Sequence, residues 1–202
     1  MKLSEQGRRL LQGFEGLMLT AYRDPPIPDQ AEQLWSIGYG HQLGKGPQWE
    51  GTTITRAEAE RLFDQDVSTR EAAVSLYAPT DAAHGHRFDA MVSLTYNIGV
   101  GKGTKGFVGS TVRRLHNAGD FAGAADAFRL WNKSGGAVNP VLVSRREKER
   151  TVYLHGYGQT FTPPGPTSPA APAPVASSGS STRALAGLAL VALAVAFARS
   201  FR

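Results

Sequence analysis

The sequence predicts an α+β fold that is mostly helical, with a small antiparallel β lobe and a larger helical lobe joined by one long helix. Residues 17–41 are rich in strand-forming side chains and are interrupted by prolines. Residues 55–77 open with a capping box, Thr55-Arg56-Ala57-Glu58, and continue with inward apolar positions to about Tyr77. Residues 87–97 are apolar around most of a helix circumference, which is typical of a buried helix.

The first part of the chain reads as a helix followed by two strands. Residues 3–15 have apolar positions at roughly helical spacing, and Gly16 is a natural stop. Residues 17–22 form the first predicted strand and residues 34–41 the second. Residues 25–33 contain three prolines, so we predict a hairpin tip or surface loop there.

The rest of the folded part is predicted to be helices separated by glycine-rich breaks. Residues 99–109 hold several glycines and form a loop. A helix is predicted over 112–116, capped by Ser110 or Thr111, and another over 121–131, capped by Asp120. A turn at 133–136 follows. The last predicted helix covers 140–155 and ends at Gly156.

The composition changes sharply after residue 160. Residues 163–182 are rich in proline, serine and alanine and carry no charge, so we expect an extended spacer. Residues 184–198 are an uncharged apolar run, whose helix would be about 22 Å long against roughly 30 Å of hydrocarbon. We therefore divide the chain into a folded domain over 1–160, a linker over 161–182 and a membrane anchor over 183–202. The alternative for the anchor is a helix that packs on a partner or lies on a membrane surface.

Charge and cysteine content limit the classes of partner and compartment. The chain has no cysteine, which excludes disulfides and thiol chemistry. It opens without the apolar segment of a signal peptide. Residues 1–80 carry 8 Lys/Arg against 11 Asp/Glu, whereas residues 81–160 carry 11 against 6. A basic second half suits a polyanion such as nucleic acid or bacterial wall polymer, although an ordinary solvated surface is equally compatible.

Two carboxylates on different backbone elements are the candidate chemistry. Glu15 closes the first helix beside apolar residues, where burial would raise its pKa and keep it protonated. Asp24 follows Arg23 in a polar stretch and would stay ionised. Ser36 could hold a water molecule by hydrogen bonding. One neutral acid and one charged acid are what cleavage of a glycosidic bond requires.

The stretch from Phe14 to His41 resembles the phage-type lysozymes, or endolysins, of glycoside hydrolase family 24. Further stretches fit the same family in the same order: 88–93 leading into 97–101, 123–128, 131–136 and 143–150. The resemblance covers about residues 3–158. It implies a lysozyme-like two-lobe fold and a muramidase that cleaves the β-1,4 bond between N-acetylmuramic acid and N-acetylglucosamine by inversion.

The resemblance also implies roles for individual residues. Glu15 matches the general acid, and Asp24 matches the acidic residue that orients or deprotonates the attacking water. Ser36 stands where the family usually has Thr, so the hydroxyl is kept and a methyl is lost. The loop between Asp24 and Ser36 is longer than usual for the family, and Asp29 or Glu32 could take over the role of Asp24.

Three further residues are candidates for substrate binding. His41 lies at the end of a glycine-rich strand and is either support for the site or a cleft residue. Asn97 matches a cleft position that faces the sugar, or else it ends a helix before Gly99. Arg145, or its neighbour Arg146, could pair with Glu15, or could lie on a solvated helix face. The remaining histidines share no metal-ligand spacing with an acid cluster, so we predict no metal and no cofactor.

A muramidase that serves cell lysis or wall penetration by a bacteriophage is the function that the sequence favours. The alternatives are a lytic transglycosylase, which needs Glu15 but not Asp24, and an inactive wall-binding virion protein. The predicted partners are peptidoglycan and a membrane, with no nucleic acid, and we expect a monomer. We expect the enzyme to be tethered to the virion membrane or host inner membrane with the folded domain facing the wall, or to stay in the host cytoplasm before release.

Overall fold

A computed structural model describes residues 1–24 and 33–158. Six α-helices and two small antiparallel sheets make up the described part, which confirms the predicted mostly α fold with a small β lobe. In chain order the elements are α1 (Glu5–Glu15), β1 (Met18–Arg23), β2 (Leu34–Gly38), β3 (His41–Lys45), α2 (Arg56–Tyr77), α3 (Gly85–Ile98), α4 (Thr111–Asn117), α5 (Phe121–Ala127), β4 (Lys133–Ser134), β5 (Ala137–Val138) and α6 (Pro140–His155).

The β lobe is a three-stranded antiparallel sheet with the order β1-β2-β3. The prediction of one strand over residues 34–41 is wrong, because β2 ends at Gly38 and β3 begins at His41. Gly38 and Gly40 have φ angles of 67° and 82°, which side chains other than glycine rarely adopt. These two glycines let the chain reverse around Tyr39. The predicted loop tip at 25–32 lies outside the described residues.

Helix α2 joins the two lobes, as predicted. The Thr55 side chain accepts a hydrogen bond from the Glu58 backbone N–H, which fixes the start of the helix. Leu62 belongs to the core of the β lobe together with Trp35 and Ile37. The next residue, Phe63, belongs to the larger core of the helical lobe. Neighbouring positions on one helix are therefore buried in different cores.

Helix α3 is the centre of the helical lobe. Every residue from Phe88 to Asn97 is buried, which confirms the predicted all-round apolar helix, although it begins two residues earlier at Gly85. It packs against α2 and α6. Packing on several sides explains why its apolar residues are not confined to one stripe.

Two boundaries in the second half of the chain differ from the prediction. The helix expected over 121–131 is α-helical only to Ala127, and Phe128–Trp131 forms a tighter 3₁₀ turn. The segment expected to be a turn at 133–136 is the start of the β4–β5 hairpin, with Gly135 and Gly136 at its tip. Short elements of this kind carry too little periodicity to be read from sequence.

The predicted linker over 161–182 and the predicted membrane anchor over 183–202 lie outside the described residues. Among the helices of residues 1–24 and 33–158, none combines the length and the apolar character of a membrane span.

Asp89 on α3 ties the two ends of the described domain together. Its carboxylate accepts a hydrogen bond from the Ser4 backbone N–H at 3.0 Å and one from the Tyr157 hydroxyl at 2.8 Å. The Ser4 hydroxyl donates to the same carboxylate. Asp89 is almost completely buried, so its carboxylate depends on these three hydrogen bonds in place of water.

Replacing Asp89 by alanine is expected to lower the free energy of unfolding by about 2–4 kcal/mol, because three hydrogen bonds to a buried carboxylate are lost. Urea denaturation measures this change. The control is Asp64→Ala, which removes an exposed ion pair with Arg8 and should cost no more than about 1 kcal/mol. Equal losses in the two variants would contradict the role of Asp89 as a tie.

Candidate active site

Glu15 is the last residue of α1 and its side chain is buried, with the residue 4% exposed. Gly16 ends the helix with a φ angle of 67°, and its N–H donates to the Gln12 carbonyl at 3.0 Å. This glycine turns the chain away into β1 immediately after the acid. The carboxylate of Glu15 is therefore held at a helix end, inside the domain.

Arg145 on α6 is the partner of Glu15. Its Nη1 lies 2.9 Å from Oε1 of Glu15, and its Nε lies 3.1 Å from Oε1 of Glu149. Its Nη2 donates to the backbone carbonyl of Ser93 on α3 at 3.2 Å. The guanidinium also lies 4.7 Å from the centre of the Phe14 ring. Burial alone would lower the pKa of Arg145, but the charges of Glu15 and Glu149 outweigh it and raise that pKa.

The contact between Glu15 and Arg145 is a close charge contact without good hydrogen-bond alignment. Oε1 of Glu15 is buried and accepts no well-directed hydrogen bond from the described residues, although Nη1 of Arg145 is only 2.9 Å away. The two charges still attract each other strongly at this distance, because charge interaction depends weakly on angle. A buried carboxylate with unused hydrogen-bonding capacity is typical of a functional site.

Glu149 and Arg146 extend the network into the core. The Ser93 hydroxyl donates to Oε1 of Glu149 at 2.6 Å, and Nε of Arg146 lies 3.1 Å from Oε2 of Glu149. Arg146 in turn donates through Nη2 to Oδ1 of Asn97 at 2.9 Å. Burial lowers the pKa of Arg146 to about 10, so the group is still a cation at neutral pH. The network thus contains two acids and two arginines, and its formal charges cancel.

Sequence reasoning missed Glu149 and Ser93 as members of this network. The available signal was the spacing of Arg145, Arg146 and Glu149, because residues three and four apart share one helix face. The charges of residues 146–150 suggested a solvated surface instead. Asn97 is placed with its amide oxygen against Arg146, and its contact with a sugar stays a prediction.

Asp24 and Ser36 are brought together by the β1–β2 pairing. Tyr22 pairs with Ser36 in the register, and the Asp24 backbone N–H donates to the Leu34 carbonyl at 2.7 Å. The Ser36 hydroxyl then lies 3.1 Å from Oδ2 of Asp24 and donates to it. Both residues are buried. Asp29 and Glu32, the alternatives to Asp24, lie outside the described residues.

His41 links the β lobe to α2. Its Nδ1 lies 3.1 Å from Oδ2 of Asp66, and Arg70 lies 3.5 Å from the other oxygen of that carboxylate. This contact fits the supporting role that the sequence suggested, and a contact with substrate stays a prediction. Within residues 1–24 and 33–158 no group of His, Asp and Glu side chains is arranged to hold a metal ion.

The arrangement offers two separately held acids. Glu15 comes from the end of α1 and is held by α6, whereas Asp24 follows β1 and is held by β2. One acid contacts a cation and the other accepts a hydrogen bond from a hydroxyl group. Two carboxyl groups in different surroundings can play different acid–base roles in one reaction.

The sequence matches the family model described as phage lysozyme over residues 12–149. It is 38% identical over 156 residues to the endolysin of Bacillus phage B103, which covers 77% of this chain and 55% of that protein. It is 33% identical to the endolysin of Salmonella phage P22, which covers 76% of this chain and 99% of that protein. The chain spans about half the length of the two Bacillus phage endolysins that it matches.

The solved structures agree with the sequence comparison. An endolysin from Escherichia coli O157:H7 phage FAHEc1 superposes with a TM-score of 0.64 at 33% identity, covering 79% of this chain and 98% of that one. The muramidase domain of SpmX from Asticaccaulis excentricus superposes with a TM-score of 0.63 at 32% identity, covering 76% of this chain and 97% of that one. The family model and these relatives together show that the chain belongs to the phage lysozyme family.

Proposed function

We propose that this chain is a muramidase that hydrolyses the β-1,4 bond between N-acetylmuramic acid and N-acetylglucosamine in peptidoglycan. A bacteriophage would use it for host cell lysis or for penetration of the cell wall. The observation that carries the proposal is the pair of acids in unlike surroundings, Glu15 against Arg145 and Asp24 against Ser36. Membership of the phage lysozyme family supports the same activity.

In this mechanism Glu15 takes up a proton from solvent as it leaves Arg145, and it then donates that proton to the leaving oxygen of the sugar bond. Arg145 does not depend on Glu15 for its position, because Glu149 and the Ser93 carbonyl also hold it. Glu15 can therefore exchange its contact with Arg145 for one with the glycosidic oxygen, while the arginine stays in place. The poorly aligned hydrogen bond between the two side chains makes that exchange less costly.

Asp24 acts on the water that attacks the anomeric carbon. The Ser36 hydroxyl donates to Oδ2 of Asp24, which fixes the orientation of the carboxylate towards the water. Direct attack by water inverts the configuration and requires the two carboxyl groups to stand about 6.5–9.5 Å apart when substrate is bound.

Replacing Glu15 by glutamine is expected to reduce lysis of bacterial walls by at least about 100-fold, because the amide cannot donate the proton. Loss of turbidity in a wall suspension measures the activity, and thermal unfolding checks that the domain is intact. The matched control is Glu5→Gln on the same helix, whose side chain is exposed and should leave lysis unchanged. Full activity of the Glu15 variant would refute its role.

Replacing Asp24 by asparagine is expected to reduce hydrolysis by about 100-fold, since the water loses its base. Ser36→Thr keeps the hydroxyl group and should retain most of the activity, whereas Ser36→Ala should lose part of it. Analysis of the released sugars separates hydrolysis, which leaves a reducing end, from transglycosylation, which leaves an anhydro sugar. An anhydro product, with Asp24→Asn still active, would favour the transglycosylase.

We further propose that residues 183–202 tether the enzyme to a membrane, on the strength of their uncharged apolar run between arginines. Two relatives from Enterobacteria phages are named SAR-endolysins, at 35% and 34% identity.

Expressed full-length protein should sediment with membranes, and a chain ending at residue 162 should not, because only the full chain carries the apolar run. Fractionation with and without a carbonate wash measures this. Both chains in the soluble fraction would contradict the tether.

A further inference from the structure

A pocket of about 420 Å³ lies on the helical lobe, between the 3₁₀ turn that follows α2 and the helices α4 and α5. Arg87, near the start of α3, lines this pocket. It precedes Ser93, a member of the network around Glu15, by six residues on the same helix. Six residues of helix span about 9 Å, so the pocket is separate from the network around Glu15. Its wall also includes Pro79, Asp81, His84, His116 and Phe121.

Arg87 supplies the guanidinium of this pocket. Its guanidinium carbon lies 3.8 Å from the centre of the Phe121 ring and 5.8 Å from that of Tyr153. A guanidinium stacked on an aromatic ring keeps its N–H donors in its own plane, free to meet an acceptor. Its Nε is buried without a hydrogen-bond partner among the described residues, and Asp81 at the pocket wall pairs with His84 instead. The guanidinium can therefore pair with a planar oxyanion that enters the pocket.

The other ionisable groups of the pocket favour an acceptor with a single negative charge. Asp81 pairs with His84 at 2.8 Å, and the hydrogen bond from His84 lowers the pKa of that carboxyl, so it stays ionised at the rim. Burial lowers the pKa of His116, so this ring stays neutral near pH 7 and adds no second positive charge. The Arg87 guanidinium neutralises one negative charge, and the described wall of the pocket supplies no second unpaired cation for a doubly charged phosphate, so the pocket suits a carboxylate.

The remaining surface of the pocket suits a peptide. The ring of Phe121 is partly exposed and offers an apolar face for a small side chain. The amide group of Asn117 also lines the pocket, and its nitrogen donates to the Tyr77 carbonyl at 2.8 Å. Its oxygen is thereby fixed in orientation and can accept from a peptide N–H.

We propose that the Arg87 pocket binds the free carboxylate of a short peptide. The guanidinium of Arg87 donates to the carboxylate, and Phe121 packs against the side chain of the terminal residue. The stem peptides of bacterial walls carry such carboxylates, so the assignment of the peptide to the wall rests on the proposed function. The binding of a peptide carboxylate to Arg87 is independent of that function.

A titration of the ¹⁵N-labelled full chain with the dipeptide alanyl-alanine near neutral pH tests the proposal. We expect saturable shifts of the backbone N–H signals of Asn117 and Phe121 in the millimolar range, and binding at least about tenfold weaker for the C-terminal amide of the same dipeptide. Arg87→Gln should weaken binding at least about tenfold. The matched control is Arg114→Gln, which removes the same charge from the exposed face of α4 and should change affinity by less than about twofold.

Thermal unfolding checks that the Arg87 variant is folded, and Arg87→Lys gives a second variant that keeps the charge and loses the planar fork. We expect the lysine variant to bind with intermediate affinity. No saturable shift in the wild type, equal binding of the amide, or tighter binding of inorganic phosphate than of the dipeptide would overturn the proposal. Because the titration uses no wall material, its outcome is independent of whether Glu15→Gln abolishes lysis.

Discussion

The guanidinium of Arg145 is the point at which three helices meet. It contacts Glu15 at the end of α1, the Ser93 carbonyl on α3 and Glu149 on its own helix α6. All of these groups are buried, so each charge depends on the others for the solvation that water would otherwise supply. Removing one member of such a group leaves an uncompensated buried charge, which typically costs about 3–5 kcal/mol.

This network couples the acid of the candidate site to the packing of the helical lobe. Glu15 is contributed by the first helix, but the last helix decides where its carboxylate lies. Arg145 contacts Glu149, and Glu149 accepts a hydrogen bond from Ser93. These contacts hold the arginine in position when Glu15 moves from the arginine to a substrate. A site built this way can lose one contact to a substrate without losing its shape.

The β lobe is attached to this helical frame at a second point, the turn around Tyr39. The Tyr39 hydroxyl donates to Glu60 on α2 at 2.7 Å, and the Tyr96 hydroxyl on α3 donates to the Tyr39 carbonyl at 3.0 Å. The Tyr39 ring packs against Phe63 in the helical core. Gly38 and Gly40 allow the turn that carries the tyrosine there. Because Asp24 and Ser36 belong to the attached sheet, this contact also holds the second acid relative to the first.

The sequence by itself determined the helices that have clear periodicity or clear caps, because these signals are local. Thr55, Ser110 and Asp120 each accept the capping hydrogen bond that their position predicted. Local composition made Glu15 and Asp24 candidates, and the resemblance to the phage-type lysozymes gave them their predicted roles.

Only the tertiary structure decided the partners of those acids. The contact of Arg145 with Glu15 joins residues that are 130 positions apart, and the choice of Arg145 over Arg146 follows from the rotation of α6 against α3. The break between β2 and β3 depended on backbone angles at two glycines, which composition does not reveal. Long-range pairing and backbone angles result from the packing of the whole domain, so a local pattern cannot specify them.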